Sequence, residues 1–151
     1  MTITESTRTI VPSGEWRIDP TRSRLEWKVE GDKNHHGRFT GFEGTVTPTR
    51  IEGVVQTSTV EADDPGLTAH LRSPDFLGAE QNPEIRFTAD EIEHAGGDVF
   101  SIRGAVTIGP VTQPVELSAR ADESPRVQAS GTLEIGDVSA TVLVDAELVA
   151  A

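Results

Sequence analysis

The sequence predicts an all-β protein, a single antiparallel β-barrel of about eight strands with a short helical or irregular insertion near residues 65–82. Three observations carry that expectation. Apolar residues recur at every second position through most of the chain, the period of a strand with one buried face. The runs are joined by short turn signals rather than long crossovers, which favours a closed meander over a sandwich. One segment, Thr68 to Phe76 (TAHLRSPDF), breaks the period: Leu67, Leu71 and Phe76 fall four and five apart, and Ser73 and Pro74 end any helical turn. A crossing of this kind plugs, lines or closes a barrel.

Residues 1–14 are rich in Thr and Ser without periodicity and read as a loose arm, so the domain is expected over 15–151, its order starting at Trp16. Leu25, Trp27 and Val29 alternate with charged residues up to Gly31-Asp32, a half-buried strand. Phe39 and Phe42 are three apart with Gly41 between them, so the next strand needs a kink for both rings to enter the core. Val46 to Pro48 end it, and Ile51 to Glu61, rich in Val and Thr, form its partner. Beyond the crossing, Ile85, Phe87 and Ala89 lead to a hairpin turn at His94 to Asp98, and Phe100, Ile102, Val106 and Ile108 return until Gly109-Pro110 breaks the strand. Three alternating runs follow, on Val115 to Ala121, Val127 to Ile135 and Val138 to Leu148.

Composition narrows the function. The 151 residues are enough for one domain with its own core. There is no cysteine, so disulfides and thiolate metal sites are excluded, and the four histidines, His35, His36, His70 and His94, are the remaining soft ligands. A formal net charge of −12 opposes attraction to nucleic acid or to an anionic membrane surface. No run reaches a membrane span, and the opening residues lack the apolar core of a signal peptide, so a cytoplasmic location is expected, with a homodimer compatible with the composition. Nucleophile, zinc-protease and phosphate-loop motifs are absent, and Glu61, Asp63 and Asp64 sit beside a Pro65-Gly66 turn that favours solvent. No catalysis, cofactor or metal is expected. His35 and His36 are adjacent, and successive strand residues point to opposite faces, so the two are not expected to share a ligand.

Many positions of inward parity are small: Ala89, Gly104, Ala119, Ala121, Ala129, Gly131, Ala140 and Ala146. They either leave room for one small ligand, which an eight-stranded barrel can hold, or face a close-packed layer.

Four segments in order, GEWRIDPTRSRLEWKVE, GRFTGFEGTV, HLRSPDF with NPEIRFTADEI, and FSIRGAVTIGPVTQPVEL, resemble the YceI-like family of polyisoprenoid- or lipid-binding domains. The resemblance spans residues 14 to about 120 and implies a lipocalin-like barrel whose elongated apolar cavity holds an isoprenoid chain or a quinone tail, without chemistry. It places His70, Leu71 and Arg72 near the cavity wall. The barrel pattern turns Trp27, Phe39, Phe42, Phe76, Phe87 and Phe100 inward as wall residues. The chain departs from the family at Arg22, where His is usual, at Thr68, where Asp is usual, and after Ala121, where the far end is short. The competing expectation is a filled, ligand-free barrel that acts as a protein-interaction module.

Overall fold

The computed structural model describes residues 9–12, 14–29, 35–72, 81–121, 126–135 and 138–150. Period-two alternation builds its wall. In β7 (Glu84–Gly96) and β8 (Val99–Ile108) the inward positions are the apolar ones, Ile85 and Ala89 on one strand and Phe100, Ile102 and Val106 on the other, so pairing them buries one face. Gly96 and Gly97, at φ of +120° and +54°, make the tight return between them. β9 (Val111–Ala121), β10 (Arg126–Ile135) and β11 (Val138–Ala150) continue the meander.

The first three wall positions are each built from two short strands. β1 (Trp16–Ile18) and β2 (Arg24–Val29) both pair with β11, separated by a turn in which the Thr21 amide and hydroxyl donate to the Asp19 carboxylate. β3 (His35–Phe39) and β4 (Phe42–Val46) are separated at Gly41, where the kink is expected. β5 (Ile51–Gln56) and β6 (Val60–Ala62) are separated by a 3-10 turn over Thr57–Thr59, and Thr59 Oγ1 accepts the Gly41 amide at 3.0 Å, so the two breaks lie side by side. The ring runs β1-β4-β5-β7-β8-β9-β10-β11 and closes through β1–β11, with β2, β3 and β6 extending it beyond the breaks. The result is the closed, eight-position antiparallel barrel that the alternation predicts.

The crossing forms α1 (Pro65–Arg72), the one α-helix among the described residues. Asp64 caps it, its Oδ1 accepting the Gly66 amide at 2.8 Å, and Pro65 occupies the first helical position, where a missing N–H costs nothing. Thr68 accepts the Ala62 amide on its hydroxyl at 3.0 Å and so ties the helix to β6.

The arm expected to be loose, residues 1–14, lies largely outside the described residues. Within its described part, Ile10 and Val11 are each only 2% exposed and belong to the core with Val46, Phe100 and Leu148. Two adjacent apolar residues in a Thr-rich stretch carry no period, and only the barrel end they cover shows their role.

Candidate functional site

The barrel interior holds two apolar clusters, one at each end. The first lies where the β4–β5 and β7–β8 turns gather, beside the Ala121 end of β9. There Ala89, Ala119, Ala121 and Ala146, all 1–3% exposed, pack with Phe100, Ile102, Ile10 and Val11. The space those alanines leave is therefore occupied by the chain's own N-terminal segment. Trp16 is anchored to the same segment, its Nε1 donating to the Pro12 carbonyl at 3.1 Å.

The second cluster lies toward α1 and contains Trp27, Val60, Ile85, Val106, Val115 and Leu133. Around it, Val29, Phe39, Val55, Ile108 and Val142 have inward parity and are half-buried, as is Leu67 on α1; at the arm end Ile18, Ile51, Ile92 and Val144 are half-buried in the same way. The sheet is incomplete at the α1 end. Among the described residues β6 pairs with β3 alone, and the β9–β10 ladder covers only Ser118–Ala121 against Val127–Ser130. Beyond it the Gln113 side chain substitutes for a strand, donating from Nε2 to the Glu134 carbonyl at 2.7 Å and accepting the Glu134 amide on Oε1 at 3.1 Å.

Trp27 is the large polar-tipped side chain in this cluster, only 6% exposed. Its indole lies over Gly37 on the neighbouring strand: a Cβ added there would stand 2.4 Å from Cζ2 and 2.7 Å from Cε2, so glycine is what allows the ring to lie flat against β3. The Trp27 Nε1–H is buried and has no hydrogen-bond partner among the described residues.

The expected wall residues distribute unequally. Trp27 and Phe39 belong to the α1 end, Phe100 to the arm end, and Phe87 packs against both clusters. Phe42 stands on β4 opposite Val55 and is half-buried. His70, Leu71 and Arg72 occupy the last turn of α1, but their side chains, like the whole of Phe76, lie outside the described residues. Sequence reasoning passed over Ile10, Val11 and Gln113, none of which carries a periodic signal, and gave Trp27 no special weight among the aromatics.

The polar cluster at the rim differs from its expectation. His35 and His36 both approach Asp63, their Nδ1 atoms at 3.2 and 3.6 Å from its two oxygens. They can do so because β6 ends at Ala62, and Asp63, just past the ladder, is within reach from either face of β3. Burial by itself raises the Asp63 carboxyl, but the His35 bond and the charges of His35 and His36 outweigh it and hold the group below its usual value. Arg38 pairs with Glu61 at 2.9 Å beside them. Among the described residues no group of three or more His, Asp or Glu side chains has the arrangement of a metal site. Three open hollows of about 320, 480 and 520 Å³ mark the wall, each lined in part by charged side chains such as Arg50, Glu26 and Arg17, which do not suit an apolar ligand.

A sequence model of the YceI-like domain matches residues 16–150. A UPF0312 protein of Pectobacterium carotovorum is 27% identical over 124 residues, covering 76% of this chain and 64% of that protein. The protein YceI of Escherichia coli O157:H7 is 32% identical over 94 residues, 62% of this chain and 49% of that one. The chain thus matches between about half and just under two thirds of the length of these curated relatives. Among solved structures, BcnA of Burkholderia cenocepacia superposes with a TM-score of 0.69 at 13% identity, over 86% of this chain and 99% of that one. A polyisoprenoid binding domain from Saccharophagus degradans superposes with a TM-score of 0.65 at 10% identity, over 90% and 98%. At such identities the superpositions establish a shared fold.

Proposed function

The chain belongs to the YceI-like domain family, and from that premise we propose that its barrel binds an apolar, chain-like ligand of the isoprenoid class in the half nearest α1, and performs no chemistry on it. Inward apolar side chains are half-buried at both ends, and the observation that assigns the ligand to this one is that Ile10 and Val11 fill the arm end, whereas here the sheet is incomplete around Val29, Phe39, Val55, Ile108 and Val142. Each methylene buried against them contributes about 0.8 kcal/mol, so two isoprene units suffice for measurable affinity without an ionic contact. The polyisoprenoid named for the Saccharophagus degradans domain agrees in ligand class. The net charge of −12 favours a neutral head, such as a quinone or an alcohol, over a diphosphate.

The test is a titration of delipidated protein with farnesol and geranylgeraniol, read by Trp27 fluorescence in a Trp16→Phe background. A saturable change is expected, lost in Val142→Phe, which fills the α1 end, and retained in Ala129→Leu, which crowds the arm end. No saturable change with either alcohol overturns the proposal and leaves the interaction-module reading ahead.

A further inference from the structure

Two tryptophans point their indoles into or against this barrel, and only one has its N–H satisfied. Trp16 donates to Pro12. Trp27, 94% removed from solvent, donates to none of the described residues. A buried indole N–H ordinarily finds an acceptor, because leaving it unpaired forfeits its bonds to water. The Glu61 carbonyl lies against the same face of Gly37 as the ring, but the indole makes no bond to it, and the apolar side chains of the surrounding cluster, Val60, Ile85, Val106, Val115 and Leu133, with Val142 directly across the strand pair, carry no acceptor. Gly37 meanwhile keeps the indole pressed to the wall, so the orientation of the N–H is set by packing rather than by a bond.

We infer that the Trp27 indole N–H is a ligand-reading group: it donates a hydrogen bond to a neutral carbonyl oxygen carried on the apolar chain that occupies this half of the barrel. The inference rests on the binding reading above and adds the chemistry that reading lacks. Aliphatic walls accept any chain of suitable girth, whereas one buried donor discriminates for a molecule with an acceptor at a set depth and against the plain hydrocarbon. An uncharged carbonyl matches a single neutral donor. A diphosphate brings several negative oxygens, and one N–H in an aliphatic pocket does not compensate their desolvation.

The experiment compares geranylacetone, a prenyl ketone, with β-farnesene, a hydrocarbon of similar length, on delipidated protein. The ketone is expected to bind about tenfold more tightly, as one hydrogen bond in a dry site implies. In Trp27→Phe, which keeps an aromatic ring without the N–H, the two affinities are expected to converge through loss of ketone affinity alone. Because the substitution could perturb packing, the unmutated protein provides a second readout: the Trp27 indole proton is expected to move downfield in NMR spectra on adding ketone and to stay in place on adding farnesene, with the Trp16 indole proton unmoved by both. Equal affinities with an unmoved Trp27 proton overturn the inference and leave apolar binding standing. If neither probe nor any prenyl alcohol binds, both readings fall together.

Discussion

The two ends of this barrel share one wall and differ in what completes them. At the arm end, four alanines open a space that Ile10 and Val11 fill, β7 and β8 pair as far as Gly96 and Val99 with register shifts at Ala89/Glu91 and His94/Gly96, β8 and β9 pair from Val99 and Arg120, and the nearby indole donates to Pro12. At the α1 end the lumen is lined by larger residues, two ladders are interrupted, and among the described residues the Trp27 N–H has no acceptor; inward apolar side chains stay half-buried at both ends. The contrast shows that small inward residues are a poor guide to empty space. They specify how much volume the wall leaves, and the rest of the chain decides whether it is used. In this protein the alanine-lined half is filled by the arm, and the half with the bulkier lining is the one to which the proposed ligand is assigned.

The largest effect that would test this contrast is Ile10→Ala. If the arm completes the core, deleting three carbons from a 2%-exposed side chain should destabilise the protein by about 2–4 kcal/mol in urea unfolding. A loss under about 0.5 kcal/mol, the ordinary range for an exposed residue, would return the arm to the loose state its composition suggests and reopen that half of the lumen.

Most of the fold was legible in the residues. Alternation alone placed the eight wall positions, because a strand with one buried face writes its period directly into the chain. Phe39 and Phe42, with Gly41 between them, announced the break between β3 and β4, and the loss of period after Leu67 announced α1. What stayed hidden depends on neighbours rather than on pattern. Ile10 and Val11 are too few to show a period. Gln113 sits at an inward position of an ordinary strand, and nothing in its context says that its amide replaces part of a ladder. Trp27 could be read as a wall residue, but that its N–H finds no acceptor among the described residues depends on how neighbouring strands pack around it. The likeness of His35 and His36 in their reach toward Asp63 depends on where β6 stops, which alternation does not fix.

A smaller effect is expected from Gln113→Ala. Its reciprocal bonds with Glu134 are the link across the β9–β10 gap that the described hydrogen bonds show, and their loss should cost about 1 kcal/mol, since they are exposed and water can replace them in part. The sharper readout is local. Amide exchange at Val115 and Leu133 should accelerate more than at Ala119 and Ala129, where the ladder is intact, and uniform acceleration along both strands would mean that the two ends do not differ in how they are closed.

The smallest effect concerns how the α1 end is held. The arm end is secured by buried carbon, but the junction of β3, β6 and α1 is secured by rim contacts of Asp63 with His35 and His36, of Arg38 with Glu61, and by the Asp63 amide donating to the His36 carbonyl at 3.0 Å. Burial pushes the Asp63 carboxyl up, but the His35 bond and the two imidazoles pull it further down, so its folded-state value lies below the 3.8 of the unfolded chain. For a carboxyl lowered on folding, the unfolded state binds the proton more readily. The contribution to stability is complete above the unfolded value and drains away as the pH falls below 3.8 through the folded one. Asp63→Asn should therefore lower the urea midpoint slightly at neutral pH, and the two proteins should converge in acid. The group is exposed and salt screens it, so the gap should also shrink as ionic strength rises. A difference that persists unchanged from neutral pH into strong acid would show that Asp63 acts through its backbone bond or its shape, and that charge plays no part in holding this end of the barrel.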